Sequence, residues 1–468
     1  MPSTEPASLR DELDAVNDRN RFLFGANGRV ALGDLAHDSS FGGRLAELAG
    51  RSVLVATSEQ LTTALALIEL DGIARRLTLC PGDLKSEDLA AVVADAGIDA
   101  IVSDGDGQDY APLGAALHAT CRPEVKPTDP LPRERLRTEW VLLTSGTTGR
   151  PKLVVHSQAG LTAPSRARKP DDGCQVWGTF YDIRRYGGLQ ILFRALIGGG
   201  SLVLSCCGEP FAEHIERLDA HGATHVSGTP SHWRRLVMSP AAQLMSPRYV
   251  RLSGEIADQA ILDALRTVYP QAVVAHAYAS TEAGVGFAVN DGREGFPADL
   301  IGPGRGEVEM KVLGGTLRIR SVRTASRYVG EAAAPLMDAD GFVDTGDIVE
   351  LRGDRFYFVG RLGGIINVGG LKVHPEEVEA VINRHPAVRM SLVRSRRNPF
   401  TGAIVVADVV LRTDSGGGHV GSQPAEVKRE ILQACHAALP EYKVPAAIQF
   451  VPSLEVDATG KLMRRHHA

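Results

Sequence analysis

Residues 141–152 of the chain read VLLTSGTTGRPK. Three apolar residues, typical of the end of a buried strand, run directly into hydroxyl side chains, two glycines and a lysine. Backbone N–H groups made accessible by glycine, together with hydroxyl donors and a lysine charge, suit a polyphosphate. The spacing does not fit GxxxxGK[ST], because Pro151 separates the second glycine from Lys152. We therefore predict a phosphate-binding loop distinct from the Walker A loop; the alternative is a Gly/Thr-rich surface turn.

The segment before this loop predicts a parallel sheet, because short apolar runs alternate with helical patterns. Thr57 and Gln60 have the spacing of a capping box at the start of the first helix. The strands are predicted at 52–56, 76–80 and 99–103, and the helices at 61–70 and 86–96.

The segment after residue 302 changes character. Short apolar runs between glycines at 302–360 predict a small antiparallel β subdomain. Residues 361–468 form a compact unit, in which Pro375 stands at the first position of a helix. The apolar face of that helix is predicted to be Val378, Val381 and Ile382.

Composition excludes several classes of protein. The 468 residues are 44% hydrophobic and 23% charged, an ordinary globular mixture long enough for more than one folding unit. The net charge of −5 gives no reason to expect nucleic acid as a partner. Apolar runs fall short of the ~18 residues of a membrane helix, and the six cysteines form no CxxC pair. We expect a soluble cytoplasmic protein without a membrane partner, either a monomer or a homodimer.

Four further motifs follow the loop in order. They are Tyr278-Ala279-Ser280-Thr281-Glu282, Asp344-Thr345-Gly346-Asp347, the run from Gly360-Arg361 to Glu379, and Gly460-Lys461. Together with the loop, they resemble the hallmarks of the adenylate-forming superfamily of AMP-binding enzymes, which includes acyl- and aryl-CoA ligases, nonribosomal adenylation domains and luciferases. The resemblance spans about residues 141–465.

The resemblance implies an α/β fold in two parts. A large N-terminal AMP-binding domain, residues 1–360, would have mainly parallel sheets with flanking helices and the β subdomain at about 302–360. A small mobile α+β domain, residues 361–468, would carry the catalytic lysine.

The resemblance also assigns a role to each motif. Tyr278 would stack on adenine, Thr281 would donate to the α-phosphate and Glu282 would bind Mg²⁺. Asp347 would accept both ribose hydroxyls, and Lys461 would neutralise charge at the α-phosphorus. The implied ATP-binding residues are Thr144, Ser145, Gly146, Thr147, Thr148, Gly149, Lys152, Gly254, Glu255, Tyr278, Ala279, Ser280, Thr281, Asp347 and Arg361. The implied catalytic residues are Lys461, Thr281 and Glu282.

The acid-binding pocket is less familiar. Where the family commonly has an aromatic residue or histidine followed by glycine, this chain has FYDIRRYGG at 180–188. Arg184 or Arg185 would hold a second anionic group of the substrate; the alternative is that both pair with surface acids. Small residues at 225–230, which resemble the pocket floor, favour a flat ring over a long alkyl chain. The predicted pocket residues are Tyr181, Arg184, Arg185, Tyr186, Gly187, Ser227, Gly228 and Ala279.

The hinge between the two domains departs from the family. The family usually has Asp or Lys two residues after the arginine, where this chain has Gly363. Rotation about this hinge would allow a second half-reaction, in which a thiol displaces AMP. Gly369 and Gly370 would then lie beside the pantetheine arm of CoA.

These features predict an ATP-dependent, AMP-forming ligase that adenylates a small, preferably aromatic, carboxylic acid and transfers it to CoA. Its co-reactants would be ATP, Mg²⁺ and CoA. One alternative is activation of an unusual oxyanion such as nitrite, or transfer to an amine or a carrier protein. Another is a silent nucleotide-binding protein, against which Lys152, Glu282, Asp347, Arg361 and Lys461 argue.

Overall fold

A computed structural model describes most of the chain. The described residues are 8–15, 20–105, 110, 113–128, 135–144, 151–166, 175–206, 208–302, 307–330, 335–398, 401–412, 423–456 and 461–463.

The α-helices are α1 (Leu9–Ala15), α2 (Gln60–Leu70), α3 (Ser86–Ala96), α4 (Gln158–Arg166), α5 (Tyr186–Ile197), α6 (Phe211–Ala220), α7 (Pro230–Val237), α8 (Gln259–Val268), α9 (Pro375–Ile382) and α10 (Pro424–Ala438). In the described part of the chain, no helix has both the length and the apolar character needed to cross a bilayer.

The strands are β1 (Phe22–Phe24), β2 (Arg29–Ala31), β3 (Asp38–Ser39), β4 (Ser52–Val55), β5 (Arg76–Leu79), β6 (Ala100–Ser103), β7 (Leu117–Thr120), β8 (Lys126–Pro127), β9 (Glu139–Thr144), β10 (Lys152–Ser157), β11 (Val176–Thr179), β12 (Ser201–Val203), β13 (His225–Gly228), β14 (Tyr249–Ser253), β15 (Val273–Ser280), β16 (Gly284–Val289), β17 (Phe296–Pro297), β18 (Val308–Leu313), β19 (Thr316–Ser321), β20 (Arg327–Val329), β21 (Val343–Arg352), β22 (Arg355–Arg361), β23 (Ile366–Val368), β24 (Leu371–Val373), β25 (Val388–Asn398), β26 (Gly402–Leu411) and β27 (Ala447–Phe450).

Two large, mainly parallel sheets form the body of the molecule. One has the strand order β16-β15-β14-β13-β11-β12-β1-β2 and the other β20-β10-β9-β5-β4-β6-β7. Helices α2 and α5 lie between them, because both helices and both sheets contribute to one apolar core. Helices α6, α7 and α8 pack on the outer face of the first sheet, and α3 on that of the second. Strands covered on both faces need continuous apolar runs, which is the pattern of the sequence. The α/β prediction is confirmed.

The predicted capping box at the start of α2 is wrong. The helix begins at Gln60 with Glu59 as its N-cap, and no side chain caps it. The carboxylate of Asp104, at the end of β6, instead accepts the N–H groups of Ser58 (2.9 Å) and Glu59 (2.8 Å). The N–H groups at the start of α2 are therefore bound by a carboxylate from a neighbouring strand and not by a local capping side chain.

The predicted antiparallel subdomain is a sheet of order β17-β22-β21-β19-β18. It begins earlier than predicted, at Phe296, and β22 runs on to Arg361. The domain boundary after residue 360 stays a prediction. Beyond it, α9 and α10 pack with β25-β26-β27 around a separate core.

The predicted helix of the last unit is confirmed. Pro375 occupies the first turn of α9. Its predicted apolar face is buried at Val378, Val381 and Ile382.

Asp71, which follows α2, is a buried carboxylate. It accepts hydrogen bonds from the Leu9 N–H (2.9 Å) and the Trp140 Nε1–H (3.1 Å). Burial raises its pKa from 3.8 to about 6. The folded protein therefore binds an extra proton between about pH 4 and pH 6, so this group's stabilising contribution is lost as the pH rises through that window. A rise of this size corresponds to about 3 kcal/mol.

We expect Asp71→Asn to abolish the loss of stability that ionisation of Asp71 causes as the pH rises, because asparagine stays neutral. Relative to the wild type, its free energy of unfolding should rise by up to about 3 kcal/mol between pH 4 and pH 7, measured by urea denaturation. Asp263→Asn, at an exposed position on α8, is the control. A constant difference between Asp71→Asn and the wild type across this range would contradict the assignment.

Candidate active site

The predicted motifs meet at the carboxyl ends of strands. Thr144 ends β9, Gly254 and Glu255 follow β14, and Tyr278 lies near the end of β15. Ligands of α/β sheets bind at such edges, where the loops leave the strands.

The predicted phosphate loop connects the two strands of a hairpin. Strands β9 and β10 are antiparallel, and Thr144 and Lys152 face each other across its base. The Thr144 Oγ1 is buried and has no hydrogen-bond partner among the described residues. A buried hydroxyl of this kind is costly unless a ligand pairs with it, so it fits a phosphate oxygen. The predicted residues Ser145, Gly146, Thr147, Thr148 and Gly149 lie outside the described residues.

Tyr328 links Lys152, at the end of the predicted phosphate loop, to Glu282, the predicted metal ligand. The Lys152 ammonium lies 5.4 Å from the centre of its ring, and its hydroxyl donates to Glu282 Oε1 at 3.5 Å. Burial and the Glu282 carboxylate raise the pKa of Tyr328 to about 12, which keeps it a donor. The role of Tyr328 is not visible in the sequence, because β20 is brought to the site by pairing with β10.

His156 fixes the turn that carries Thr281 and Glu282. Its Nε2–H donates to the Thr281 carbonyl at 2.8 Å. Burial lowers the pKa of His156 to about 4, so the ring is neutral at pH 7. This residue was also missed; it lies four residues after Lys152 in a strand that reads as purely structural.

The predicted nucleotide residues form one network. The Tyr278 hydroxyl donates to Asp347 Oδ2 at 2.5 Å, and Arg361 Nε contacts Asp347 Oδ1 at 2.9 Å. Burial raises the pKa of Asp347, an effect that the charge of Arg361 opposes. The Tyr278 ring stacks on Phe358, with 5.0 Å between the ring centres and 11° between the planes.

The terminal loop docks on the end of β14. A β-carbon at Gly254 would lie 3.4 Å from Lys461 Cε, and the φ of +89° at Gly254 also requires glycine. The Leu462 N–H donates to Glu255 Oε1 at 3.2 Å. Glu255 in turn accepts the Ser231 N–H (2.9 Å) and hydroxyl (3.0 Å) at the start of α7. The carboxylate thus holds the loop that carries Lys461 against the large domain.

We expect Glu255→Ala to release this loop. Losing one hydrogen bond to a charged acceptor should speed hydrogen exchange at the Leu462 amide by about 10–10². Glu213→Ala, at an exposed position on α6, is the matched control. Unchanged exchange at Leu462 in Glu255→Ala would show that the contact does not hold the loop.

The predicted pocket residues surround the core between the sheets. Tyr181 and Tyr186 are buried in it, and Ala279 packs against it. The Tyr181 hydroxyl donates to the Ser253 carbonyl at 2.8 Å. A β-carbon at Gly187 would lie 3.9 Å from the Tyr181 ring, and one at Gly228 only 2.8 Å from Phe180. Gly228 is therefore required by packing.

The structure corrects the prediction that Arg184 or Arg185 holds a second anionic group. Arg184 is 3% exposed, forms an ion pair with Asp182 at 2.8 Å and donates to the Thr57 carbonyl at 2.7 Å. Arg185 pairs with Asp83. Both guanidinium groups already have carboxylate partners, as the alternative proposed.

The hinge glycines lie in two turns. Gly363 is in a 3₁₀ turn directly after Arg361, and Gly369 and Gly370 form the turn between β23 and β24. Both turn glycines have positive φ, +58° and +87°. Their contact with an acceptor stays a prediction.

Glu282 suits a magnesium ion that arrives with a nucleotide. In the part of the chain covered by the structure, no group of three or more His, Cys, Asp and Glu side chains is placed to hold a metal. Mg²⁺ is usually bound by one or two carboxylates plus substrate phosphates and water. The Glu282 carboxylate offers such a ligand, because its hydrogen bond from Tyr328 is long, at 3.5 Å, and leaves its oxygens able to bind a cation.

Comparison with family models gives two matches. A model described as AMP-binding enzyme matches residues 54–322, and one described as AMP-binding enzyme C-terminal domain matches residues 377–461.

Curated relatives include CoA ligases. The chain is 26% identical over 370 residues to a 2-methylpropanoate–CoA ligase of Humulus lupulus, covering 70% of this chain and 64% of the relative. It is 26% identical over 348 residues to a 2-succinylbenzoate–CoA ligase of Bacillus cytotoxicus, covering 69% and 68%. The match to the first therefore spans less than two thirds of its length.

A solved structure shares the fold. The amide bond synthetase McbA from Marinactinospora thermotolerans superposes with a TM-score of 0.76 at 22% identity, over 97% of each chain.

Proposed function

This chain belongs to the AMP-binding enzyme family, and from that premise we propose that it is an ATP-dependent, AMP-forming ligase of a small carboxylic acid. The observation that carries the proposal is the position of Lys461, which lies over Gly254 and close enough to Asp347 to act on its charge. A lysine of the terminal loop, an aspartate of the β subdomain and the end of β14 thus converge on one point. In a silent nucleotide-binding protein, a lysine near the chain end would be expected in solvent and not at this point.

In the first half-reaction, a carboxylate oxygen attacks the α-phosphorus of ATP. A bond forms between them, the bond to the bridging oxygen breaks, and pyrophosphate leaves. Lys461 would stabilise the negative charge that builds up in the transition state, and Thr281 would donate to an α-phosphate oxygen. Asp347 would hold the ribose, with its carboxylate already oriented by Tyr278 and Arg361.

Mg²⁺ would neutralise charge on the phosphates when bound. Glu282 would hold it, oriented by Tyr328. His156 supports the same turn through the Thr281 carbonyl.

In the second half-reaction, the sulfur of the CoA thiol would bond to the acyl carbon and lose its proton to solvent, while the bond from that carbon to the AMP oxygen breaks and AMP leaves with the electron pair. The names of the curated relatives support CoA as the acceptor. Tyr181 and Tyr186 are buried in the core between the sheets and Ala279 packs against it, which supports a compact substrate, and we propose an aromatic acid.

The test is exchange of labelled pyrophosphate into ATP with benzoates, cinnamates, fatty acids, amino acids and nitrite, each with and without CoA. We expect exchange with a compact organic acid, followed by thioester formation when CoA is added. Exchange with nitrite alone would show that the substrate is an oxyanion and not a carboxylic acid. Product formation only with an amine or a carrier protein would show that the acceptor is not CoA. Absence of exchange with every compound would refute the ligase.

A further inference from the structure

Arg251 is a buried arginine to which the described residues supply no partner. It lies in β14 and is only 5% exposed. Within the described ranges, its guanidinium group makes neither an ion pair nor a hydrogen bond; the Trp233 Nε1–H donates to its backbone carbonyl. A buried charge is costly unless it is paired, so this guanidinium indicates an anionic ligand.

Two further polar side chains lie near Arg251. Ser227 lies opposite it on β13, so the two side chains leave the sheet on the same face. The Ser227 hydroxyl and the Tyr186 hydroxyl are buried, the first beside the Tyr181 hydroxyl and the second beside the Val285 backbone. Burial raises the pKa of Tyr186, a rise that the charge of Arg323, the Val285 backbone and the charges of Arg194 and Arg251 oppose, so Arg251 is one of the cations around this hydroxyl.

All three groups are hydrogen-bond donors. Arginine donates through its whole guanidinium group, and both hydroxyls donate as well as accept. We call Arg251, Ser227 and Tyr186 the donor cradle. A buried guanidinium that no carboxylate of the described residues pairs, with two buried hydroxyls near it, makes a preformed site for an anion.

Two carboxylates of this region, Glu255 and Asp182, have partners of their own. Glu255 and Arg251 both act on the charge of Tyr181, so Glu255 is the acid in the neighbourhood. Its two oxygens, however, accept from Ser231 and Leu462. Asp182 pairs with Arg184. The positive charge of the donor cradle is therefore available to a ligand.

The donor cradle lies at the far end of the proposed acid pocket. Arg251 precedes Gly254 by three residues of an extended chain, so their Cα atoms are about 10 Å apart. Lys461 lies at Gly254, where the reacting carboxylate would be. Tyr181, whose hydroxyl donates to the Ser253 carbonyl, lies between the two ends.

We propose that the donor cradle binds a second anionic group of the substrate, so that the acid activated by this protein is dianionic, with a ring-sized spacer between its two groups. The inference rests on the proposed ligase function, whose pocket it extends. It assigns to Arg251 the role that the sequence analysis gave to Arg184 or Arg185.

The test compares matched acids on matched variants. The acids are terephthalate and 4-methylbenzoate, with isophthalate, adipate and succinate to vary the spacing. The proteins are the full-length wild type, Arg251→Met, and Arg266→Met, an exposed arginine on α8, as the control. Thermal unfolding is measured with each acid in the absence of ATP, and pyrophosphate exchange in its presence.

We expect at least one diacid, but not 4-methylbenzoate, to raise the Tm of the wild type and of Arg266→Met. In Arg251→Met that shift should vanish, and the ratio of kcat/KM for diacid over monoacid should fall by about 10². Without ligand, the Tm of Arg251→Met should equal or exceed that of the wild type, because an unpaired buried charge has been removed.

Two outcomes separate this inference from the ligase itself. If monoacids are exchanged as well as diacids and Arg251→Met changes neither, the inference is wrong and the ligase stands. If nothing is exchanged, the ligase fails, while the thermal shifts still decide whether Arg251 binds a dianion. Equal thermal shifts in the wild type and in Arg251→Met, or none with any diacid, would overturn the inference.

Discussion

Lys461→Ala should slow adenylate formation by about 10²–10³, the usual effect of deleting one contact to a transition state. The lysine stem passes over Gly254 and its charge acts on Asp347, which supports the proposed role of its ammonium at the α-phosphate. Pyrophosphate exchange reports this step directly. Thioester formation from a supplied acyl-adenylate should stay largely intact, because that step does not use the α-phosphorus.

Lys85→Ala is the matched control. Lys85 is a surface lysine, 73% exposed, with Glu87 at 3.3 Å as its partner. Its removal should leave both steps unchanged. If Lys461→Ala slows both half-reactions equally, the lysine acts on folding or on a shared step, and the assignment to adenylate formation is wrong.

Asp347→Ala should lower kcat/KM for ATP by about 10²–10⁴, mainly through KM. Two ribose hydroxyls would lose a charged acceptor, and each such hydrogen bond is worth about 1.5–3 kcal/mol. The Tyr278 hydroxyl and Arg361 would also lose the carboxylate that orients them. Asp347→Asn keeps one acceptor oxygen and should lose less. Initial rates over a range of ATP concentrations, at saturating acid, give the measurement.

Asp344→Ala separates the nucleotide role from a general effect on this turn. Asp344 is 39% exposed and pairs with Arg318 at 3.0 Å, so its removal should leave the KM for ATP unchanged. A fall in kcat with an unchanged KM in Asp347→Ala would place Asp347 outside the ribose site.

The parts of the site that were predictable from the sequence lie in continuous motifs. Tyr278 and Asp347 were identified because each stands in a short, ordered run with its own residue pattern, and the structure joins them at 2.5 Å. The helix at 86–96 was predicted from local periodicity, and α3 covers those residues. Such features depend on neighbours in the chain.

The parts that were missed depend on partners far away in the chain. Tyr328 contacts Glu282 only because β20 pairs with β10, and that register is not visible in the sequence. Arg185 is paired by Asp83, about a hundred residues upstream.

Arg251 shows a different limit of local patterns. In β14 it alternates with the apolar Val250 and Leu252, a pattern that usually places the polar residue in solvent. Here the opposite face of the sheet is covered as well, because α2 and α5 lie between the two sheets. The alternation correctly separates the two faces, but it does not show that both are buried.

The hydrogen bond between Glu255 and Leu462 contributes to the equilibrium between the docked and undocked positions of the terminal loop. The hydrogen bonds that Glu255 accepts from Ser231 come from its own domain, whereas the Leu462 N–H comes from the other. If the loop departs, the carboxylate keeps both Ser231 donors, so the cost is about one charge-assisted hydrogen bond, roughly 1.5–3 kcal/mol, rather than that of a bare charge. This one contact therefore favours the docked loop by about 10–10²-fold, a factor that a ligand of the second half-reaction would have to offset along with the other contacts of the loop.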